Sequence, residues 1–445
     1  MLRWTQTITA KVLGIGLLAL LMLIPLTQAD GLVRERQSMR DTAAVRVADG
    51  WGGPQTIGGF VLAVPTHSET RDAEGKLVAS RNDTEIVLAD EQRTVADLAV
   101  EKRRVGMYEV PVYTGDVTLS GRILPDDLHR FADESGATWS MDRAELRLLI
   151  ADVRGLQHIA MATVDGKPVR LASSTARLGP YTVLSVPVAI DPGRRTPLDY
   201  AVTLRIAGTE SFSALPLARN NSVRIRSPWP DPSFIGALLP GTRQVSSRGF
   251  DASWQVLDLN RAYGQHWSAS DDDVGKRLDP SALGVKLYQP GSVYQQNDRA
   301  GKYGLLFIAL TFVAFFLFEV LRGLRLHPVQ YLLVGAAMTS FYVLLLALSE
   351  QIGFGPAYAV ASAAVVLIVG GYAVAALQAR RAGLTLGGVL ALVYAILYGL
   401  IGAEQYALLI GAVVLVAVVA VLMYLTRRID WYAQGVPFNP TPDTP

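Results

Sequence analysis

Tyr303-Gly-Leu-Leu-Phe-Ile-Ala-Leu-Thr-Phe-Val-Ala-Phe-Phe-Leu-Phe-Glu-Val-Leu-Arg322 carries one acid before its closing arginine and no proline. At about 1.5 Å rise per residue it is long enough to cross a bilayer core of about 30 Å. Four similar stretches follow, at 329 to 348, 356 to 377, 384 to 402 and 406 to 425, and one precedes it at Val12 to Ala29. In hydrocarbon every backbone N–H and C=O must be bonded within the segment, so each stretch reads as a helix. The expected architecture is a membrane α-helical bundle of six spans. A large β-rich domain is inserted between the first and the second.

Composition divides the same way. Residues 303 to 445 hold 11 charged side chains, whereas residues 30 to 302 hold 67. The expected domains are a transmembrane anchor at 1 to 29, a β-rich domain at 30 to 302, a five-helix region at 303 to 426 and a tail at 427 to 445. The 33 basic and 34 acidic residues within 30 to 302 leave no basic excess able to neutralise a phosphate backbone, so nucleic acid is not an expected partner. Zero cysteines exclude disulfides, thiol catalysis and cysteine-ligated metals.

Orientation follows from Lys and Arg in the short loops. Arg3 and Lys11 precede the first span, Arg322 and Arg325 follow the second, Arg380 and Arg381 follow the fourth, and Arg427 and Arg428 follow the last. The alternate short loops contain Glu350 and Glu404 and no basic residue. Both termini are therefore expected in the cytoplasm and residues 30 to 302 in the periplasm. The first span reads as an uncleaved anchor, because its apolar run is longer than that of a cleavable signal and Thr27-Gln28-Ala29 only half fits an exit site.

The middle region is strand-rich, with runs at Thr56 to Thr66, Thr84 to Ala89, Met107 to Ile123, Glu145 to Asp152, Tyr181 to Ile190, Tyr200 to Ala207 and Ser222 to Arg226. Asp165-Gly166 is a two-residue hairpin signal. Tyr113-Thr-Gly-Asp116 reads as a turn or bulge, and one short helix is expected near Asp126 to Glu134. The pattern fits a sandwich or a partly open barrel, with no long amphipathic helix.

No phosphate-cradling glycine loop, HExxH or GxSxG occurs, and the five histidines show no i, i+4 pair. No catalytic, cofactor-binding or metal-ligating residue is assigned, and Asp271 to Asp273 read as a solvated acidic turn. Six residues are singled out as candidates for interaction or intramembrane roles. Glu319, at the end of the second span, has two readings: an interfacial ion pair with Arg322 one turn on, which is favoured, or part of an ion pathway. Glu350 reads as an outward loop residue. In Ser227-Pro-Trp-Pro-Asp-Pro-Ser-Phe234, three prolines forbid a helix. Trp229, Asp231 and Phe234 then either form a docking loop or pack against the sheet, the second being favoured. Gly383-x-x-x-Gly387, with Gly370-Gly371, suggests close helix packing within the bundle.

Several segments resemble the bacterial CreD family of inner-membrane proteins. They are Ser227-Pro-Trp-Pro-Asp-Pro-Ser-Phe-Ile-Gly236, Leu310 to Glu319, Arg325-Leu-His-Pro-Val-Gln-Tyr-Leu-Leu-Val-Gly335, Leu344-Leu-Leu-Ala-Leu-Ser-Glu350 and Arg428-Ile-Asp-Trp-Tyr432, with Ala151-Asp-Val-Arg-Gly155 in the strand-rich region. The resemblance implies a cell-envelope protein tied to the Cre two-component system, to envelope integrity and to stress tolerance, with no enzymatic activity and no cofactor. The expected partners are the lipid bilayer and an unidentified envelope or periplasmic protein, with oligomerisation left open. The rival readings are a small-molecule or proton-coupled transporter and a membrane-tethered hydrolase.

Overall fold

The computed structural model describes residues 8–287, 292–322, 326–376, 380–403 and 406–427. Arg325, Glu404, Arg428, Trp431 and Tyr432 lie outside the described residues, as does the side chain of Arg322. The chain forms two compact units, one of Met1–Met39 with Gly291–Pro445 and one of Arg40–Pro290.

Ten α-helices occur among the described residues. They are α1 (Ile8–Leu21), α2 (Leu23–Trp51), α3 (Pro125–Ser135), α4 (Asp272–Leu278), α5 (Val293–Lys302), α6 (Gly304–Arg322), α7 (Pro328–Ile352), α8 (Phe354–Ala376), α9 (Arg380–Gly402) and α10 (Ala407–Thr426). The break at Met22 has a local cause. Pro25 has no N–H to give the carbonyl of Leu21 four residues back. Ala10–Trp51 is nonetheless one candidate span, and Pro328–Ile352, Phe354–Ala376, Arg380–Gly402 and Leu409–Thr426 bring the number to five. Helices α5 and α6 meet at a 45° bend and make a sixth if the pair counts as one. Pro328 sits in the first turn of α7, where its fixed φ suits a helix start, and Gly353 at φ +79° ends that helix.

The absence of a long helix from the strand-rich region does not hold. Helix α2 continues past Ala29 to Trp51, and Gly52 at φ +111° stops it. Residues 34 to 49 are mostly Arg, Glu, Gln, Met, Asp, Val and Ala, with neither Pro nor Gly among them. Helix propensity is satisfied there without the long apolar run that marked the first span.

The second unit is a sandwich of two sheets. One follows the order Pro232–Gly236, Leu283–Leu287, Ser211–Ala214, Gln55–Arg71, Ala144–Ile150, Tyr181–Val188, Ala172–Leu178, with three further strands off this path. The eight-stranded sheet follows Thr242–Ser246, Gly249–Leu257, Ala218–Ser227, Ala89–Val105, Tyr108–Ile123, Leu198–Thr209, Leu156–Val164, Lys167–Pro168. Alternation explains the packing. In Ala218–Ser227, Val223 and Ile225 are buried, while Arg224 and Arg226 face out to Asp251 and Asp97. Phe60 of one sheet meets Tyr200 of the other edge-on at 5.2 Å, within a single core drawn from both sheets.

The Asp165-Gly166 hairpin is present, with φ of 50° and 72° at the two turn residues. The turn expected at Tyr113 to Asp116 is not. Those residues lie in the unbroken strand Tyr108–Ile123, paired on both sides. Gly115 is there for space, since a Cβ would fall 2.6 Å from Leu98 Cδ2. Asp271 caps α4 by accepting the N–H of Asp273 at 3.0 Å, and Asp273 pairs with Lys276 at 3.1 Å.

Candidate functional site

Charged and polar side chains collect at two places along α7. At its start, Glu319 near the end of α6 is only 3% exposed. Its Oε1 accepts from Lys11 Nζ on α1 and from the backbone N–H of Leu326 at 2.8 Å, and its Oε2 accepts from the Tyr331 hydroxyl at 2.9 Å. Lys11 Nζ donates again to the Leu326 carbonyl at 3.2 Å. Phe312 and Phe315 meet the Tyr331 ring edge-on at 5.7 and 6.2 Å. Glu319 therefore ties α1, the α6–α7 connection and α7 together. The side chain of Arg322, the partner expected from the sequence, lies outside the described residues; among the described residues the cation on Glu319 is Lys11, and the carboxylate is buried among helices.

At the other end of α7, Glu350 is not a loop residue. It lies in the last turn of the helix, with its side chain 8% exposed. It accepts from the Tyr294 hydroxyl at 3.1 Å and lies 3.9 Å from Arg36 Nε on α2. Next to it, Ser349 accepts from Asn297 Nδ2 at 2.9 Å and donates to the Leu346 carbonyl. Asn297, Asp30, Gly301 and Tyr342 also line a cavity of about 10 Å³, room for about one water. Gly301 lies directly against Asp30, whose carboxylate would have to move aside for a Cβ, since Oδ1 would be 2.4 Å from it.

The two clusters are one hydrocarbon thickness apart. Tyr331 and Glu350 are 19 residues from each other on one helix, about 28 Å at 1.5 Å per residue. Between them the buried surface of α7 is almost wholly apolar and aromatic, including Val334, Met338, Phe341, Tyr342 and Leu345. Each cluster joins helices remote in sequence through groups that already have partners. As built, the arrangement is a pair of electrostatic and hydrogen-bonding staples bracketing an apolar layer.

Helices α8 and α9 approach through glycine, as their spacing suggested. A Cβ on Gly387 would sit 3.6 Å from Gly370 Cα, and one on Gly383 would sit 2.5 Å from the Val374 backbone nitrogen.

Trp229, Asp231 and Phe234 come together at one corner of the sandwich, but the rings are not displayed. Trp229 is half-buried against the core, its Nε1 donating to the Asp231 carbonyl at 3.1 Å. Phe234 meets Phe250 and Trp254 edge-on at 5.9 Å each. Asp231 is exposed. The proline-rich run fixes the backbone so that both rings pack inward.

Ala151 to Gly155 form a joint at the start of the sandwich. Asp152 accepts from the Gly53 and Arg154 backbone N–H groups at 2.9 and 3.0 Å, and Arg154 bridges to Asp49 at 3.2 Å. Burial opposes the Asp152 charge, yet the Arg154 guanidinium and these N–H groups hold its carboxyl below the usual carboxylate range. Gly155 leaves no room for a side chain, since a Cβ would lie 2.2 Å from the Ala207 carbonyl. Among the described residues no group of three or more His, Cys, Asp or Glu is placed to hold a metal ion.

Sequence reasoning missed Lys11, Arg36, Asp30, Tyr294, Asn297, Ser349 and Tyr331 as members of the clusters. A signal existed for one of them. Lys11 is the last charge before eighteen uncharged residues, and Glu319 is the only acid in its own span.

The family model for inner membrane protein CreD matches residues 7–432. The chain belongs to the CreD family. It is also 34% identical, over 420 residues, to inner membrane protein CreD of Escherichia coli strain K12, which covers 94% of this chain and 92% of that protein. The CreD match takes in both polar clusters, the Ala151 to Gly155 joint and every candidate span. As a CreD-family chain with several apolar helices, this is a multi-pass inner-membrane protein with a large β-rich domain.

Proposed function

We propose that this protein is a non-enzymatic component of the bacterial cell envelope. Its helical bundle crosses the inner membrane six times, and its β-sandwich works in the periplasm as an interaction module for an envelope or periplasmic partner. Family membership supports the envelope role, and the link to the Cre two-component system and to stress tolerance rests on that kinship.

The observation that carries the topology is the pairing of Lys11 with Glu319 together with that of Arg36 with Glu350. Lys11 precedes the first apolar run and Glu319 ends the second, next to the basic Arg322 to Arg325 connection. Arg36 follows the first run and Glu350 ends the third. A chain that weaves back and forth brings these pairs together, and the basic loops then share one side, as the positive-inside rule requires for the cytoplasm. Both termini are cytoplasmic on this reading, with residues 30 to 302 outside. Nothing observed favours a transporter.

The test has two arms. Alkaline phosphatase fused after residue 150 is expected to be active and a fluorescent protein fused there dark, with the reverse at residue 440. Deleting the chain is expected to sensitise cells to envelope-directed agents, with restoration by the full-length protein. Unchanged sensitivity after deletion sinks the envelope role, and a fluorescent fusion at 150 sinks the topology.

A further inference from the structure

We propose that the outward face of the eight-stranded sheet binds an acidic glycan, which names the ligand class for the interaction module and rests on that reading. A groove of about 460 Å³ lies over the strands Gly249–Leu257, Ala218–Ser227, Ala89–Val105, Tyr108–Ile123 and Leu198–Thr209, within the size range of ligand sites.

Strand register sets its chemistry. Gln255 pairs with Ser222, Ser222 with Arg93, and Arg93 with Ser120, so four polar side chains cross the sheet in one row. Two residues along each strand, Asn220, Glu91, Arg122 and Asp199 form a second row in the same way. The residues between the rows, Asn221, Gln92 and Tyr200, face the core and are buried. Neighbouring strands are about 4.8 Å apart, so the rows offer a hydrogen-bonding group every 5 Å or so along an extended line.

That pattern selects among ligands. The side chains on the outward rows lining the groove are all polar or charged, and a lipid tail or an apolar peptide would leave their donors and acceptors unpaired. At the groove, Ala218–Ser227, Ala89–Val105 and Tyr108–Ile123 are each paired on both sides, so a peptide finds no free edge among these central strands. What remains is an extended ligand with repeated hydroxyl and amide groups, as in a sugar chain.

Charge specifies one more feature. Arg122 lies 3.9 Å from Glu91 and 3.5 Å from Asp199, so its charge is answered within the groove. Arg93, exposed between Ser120 and Ser222, has no ion pair and no side-chain hydrogen bond among the described residues. Its planar fork of donors suits a carboxylate. One carboxylate in a chain of neutral, hydroxyl-rich sugars satisfies both observations.

The experiment uses the full-length protein in detergent micelles. The probe is a tetrasaccharide of N-acetylhexosamines bearing a carboxylate on alternate sugars, titrated calorimetrically beside its carboxyl-reduced form and inorganic phosphate. The carboxylated probe is expected to bind, and reduction of its carboxyls or Arg93→Gln to weaken it about tenfold, the loss of one charge-assisted hydrogen-bonded pair. Asn220→Ala with Ser222→Ala should weaken the reduced probe as well. Arg205→Gln, on the same sheet outside the groove, should change nothing. No binding of either sugar, equal binding by the Arg93→Gln variant, or binding of phosphate as tight as that of the sugar would each overturn the proposal. Failure to bind alongside an active phosphatase fusion at residue 150 rejects the groove and leaves the envelope reading standing.

Discussion

Lys11 and Glu319 are 308 positions apart, and their side chains form one ion pair inside the helical unit. Removing one partner of a buried pair costs more than the pair contributes, because the remaining charge stays buried without compensation. Here Glu319 is the more buried partner, while Lys11 keeps 30% of its side chain exposed. The asymmetry gives a direction to the first prediction.

Lys11→Ala should destabilise the protein by about 2 kcal/mol, below the 3–5 kcal/mol range for fully buried pairs because Lys11 is part-exposed. Lys11→Met combined with Glu319→Gln should recover most of that loss, since no ion is then left alone. Thermal unfolding in micelles across the double-mutant cycle measures the coupling. Additive losses from the two single changes would show that the pair carries no energy of its own.

The first helix should persist in the mature protein. Ala19, Met22, Leu26 and Ala29 are buried in the same core cluster as Phe312 and Met338, and a Cβ on Gly335 would lie 2.6 Å from Met22 Sδ. Removing that helix would open the core and leave the Glu319 carboxylate without its cation. Intact-mass spectrometry of the purified protein should find residues 8 to 29 present. A mature N-terminus near residue 30 would contradict the packing.

Gly383→Leu should separate α8 from α9. The added side chain begins 2.5 Å from the Val374 backbone, which a helix cannot yield as a flexible side chain would. Overpacking of this kind costs about 1–3 kcal/mol. The melting midpoint in micelles should fall for Gly383→Leu and stay near the parent value for Gly388→Leu, where a Cβ meets nothing within 4 Å. Equal shifts at the two glycines would refute the close approach.

Acid should weaken the sandwich through two aspartates. The Arg194 guanidinium, donating to Asp165, and the Arg224 guanidinium, donating to Asp251, hold both carboxyls below the usual carboxylate range, against some opposing burial. With the folded value below the unfolded one of about 3.9, the stabilisation is fully present above that pH. It is lost as pH falls through the folded values. Stability should thus be level with respect to these groups above about pH 5 and decline below about pH 4. Arg194→Gln should flatten part of that decline. A variant whose acid limb overlays that of the parent would rule out this contribution.

The strands of the sandwich show where local reading stops. Tyr181–Val188 and Leu198–Thr209 announced themselves through β-branched and aromatic residues. Ser211–Ala214, Pro232–Gly236 and Thr242–Ser246 did not, because they are four or five residues long and none of them has an alternating burial pattern. At Tyr113 to Asp116 a glycine suggested a turn, whereas its reason was Leu98 on the neighbouring strand. A glycine's sequence context does not reveal whether it serves backbone conformation or a neighbour's volume.

By itself the sequence determined what each segment needs around it: the apolar runs need hydrocarbon or a core, the alternating runs need one buried face, Asp165-Gly166 needs to reverse direction, and the basic loops need one side of the membrane. These are local demands, set by side-chain transfer energies and backbone geometry within a dozen or so residues. Only the tertiary structure decided which distant groups answer one another. It chose Lys11 for Glu319 and Arg36 for Glu350, packed Trp229 and Phe234 inward, carried α2 on to Trp51, and made two facing sheets instead of a barrel. A buried charge requires a partner but does not say where along the chain that partner lies, and the fold alone brings the ends of the helices together.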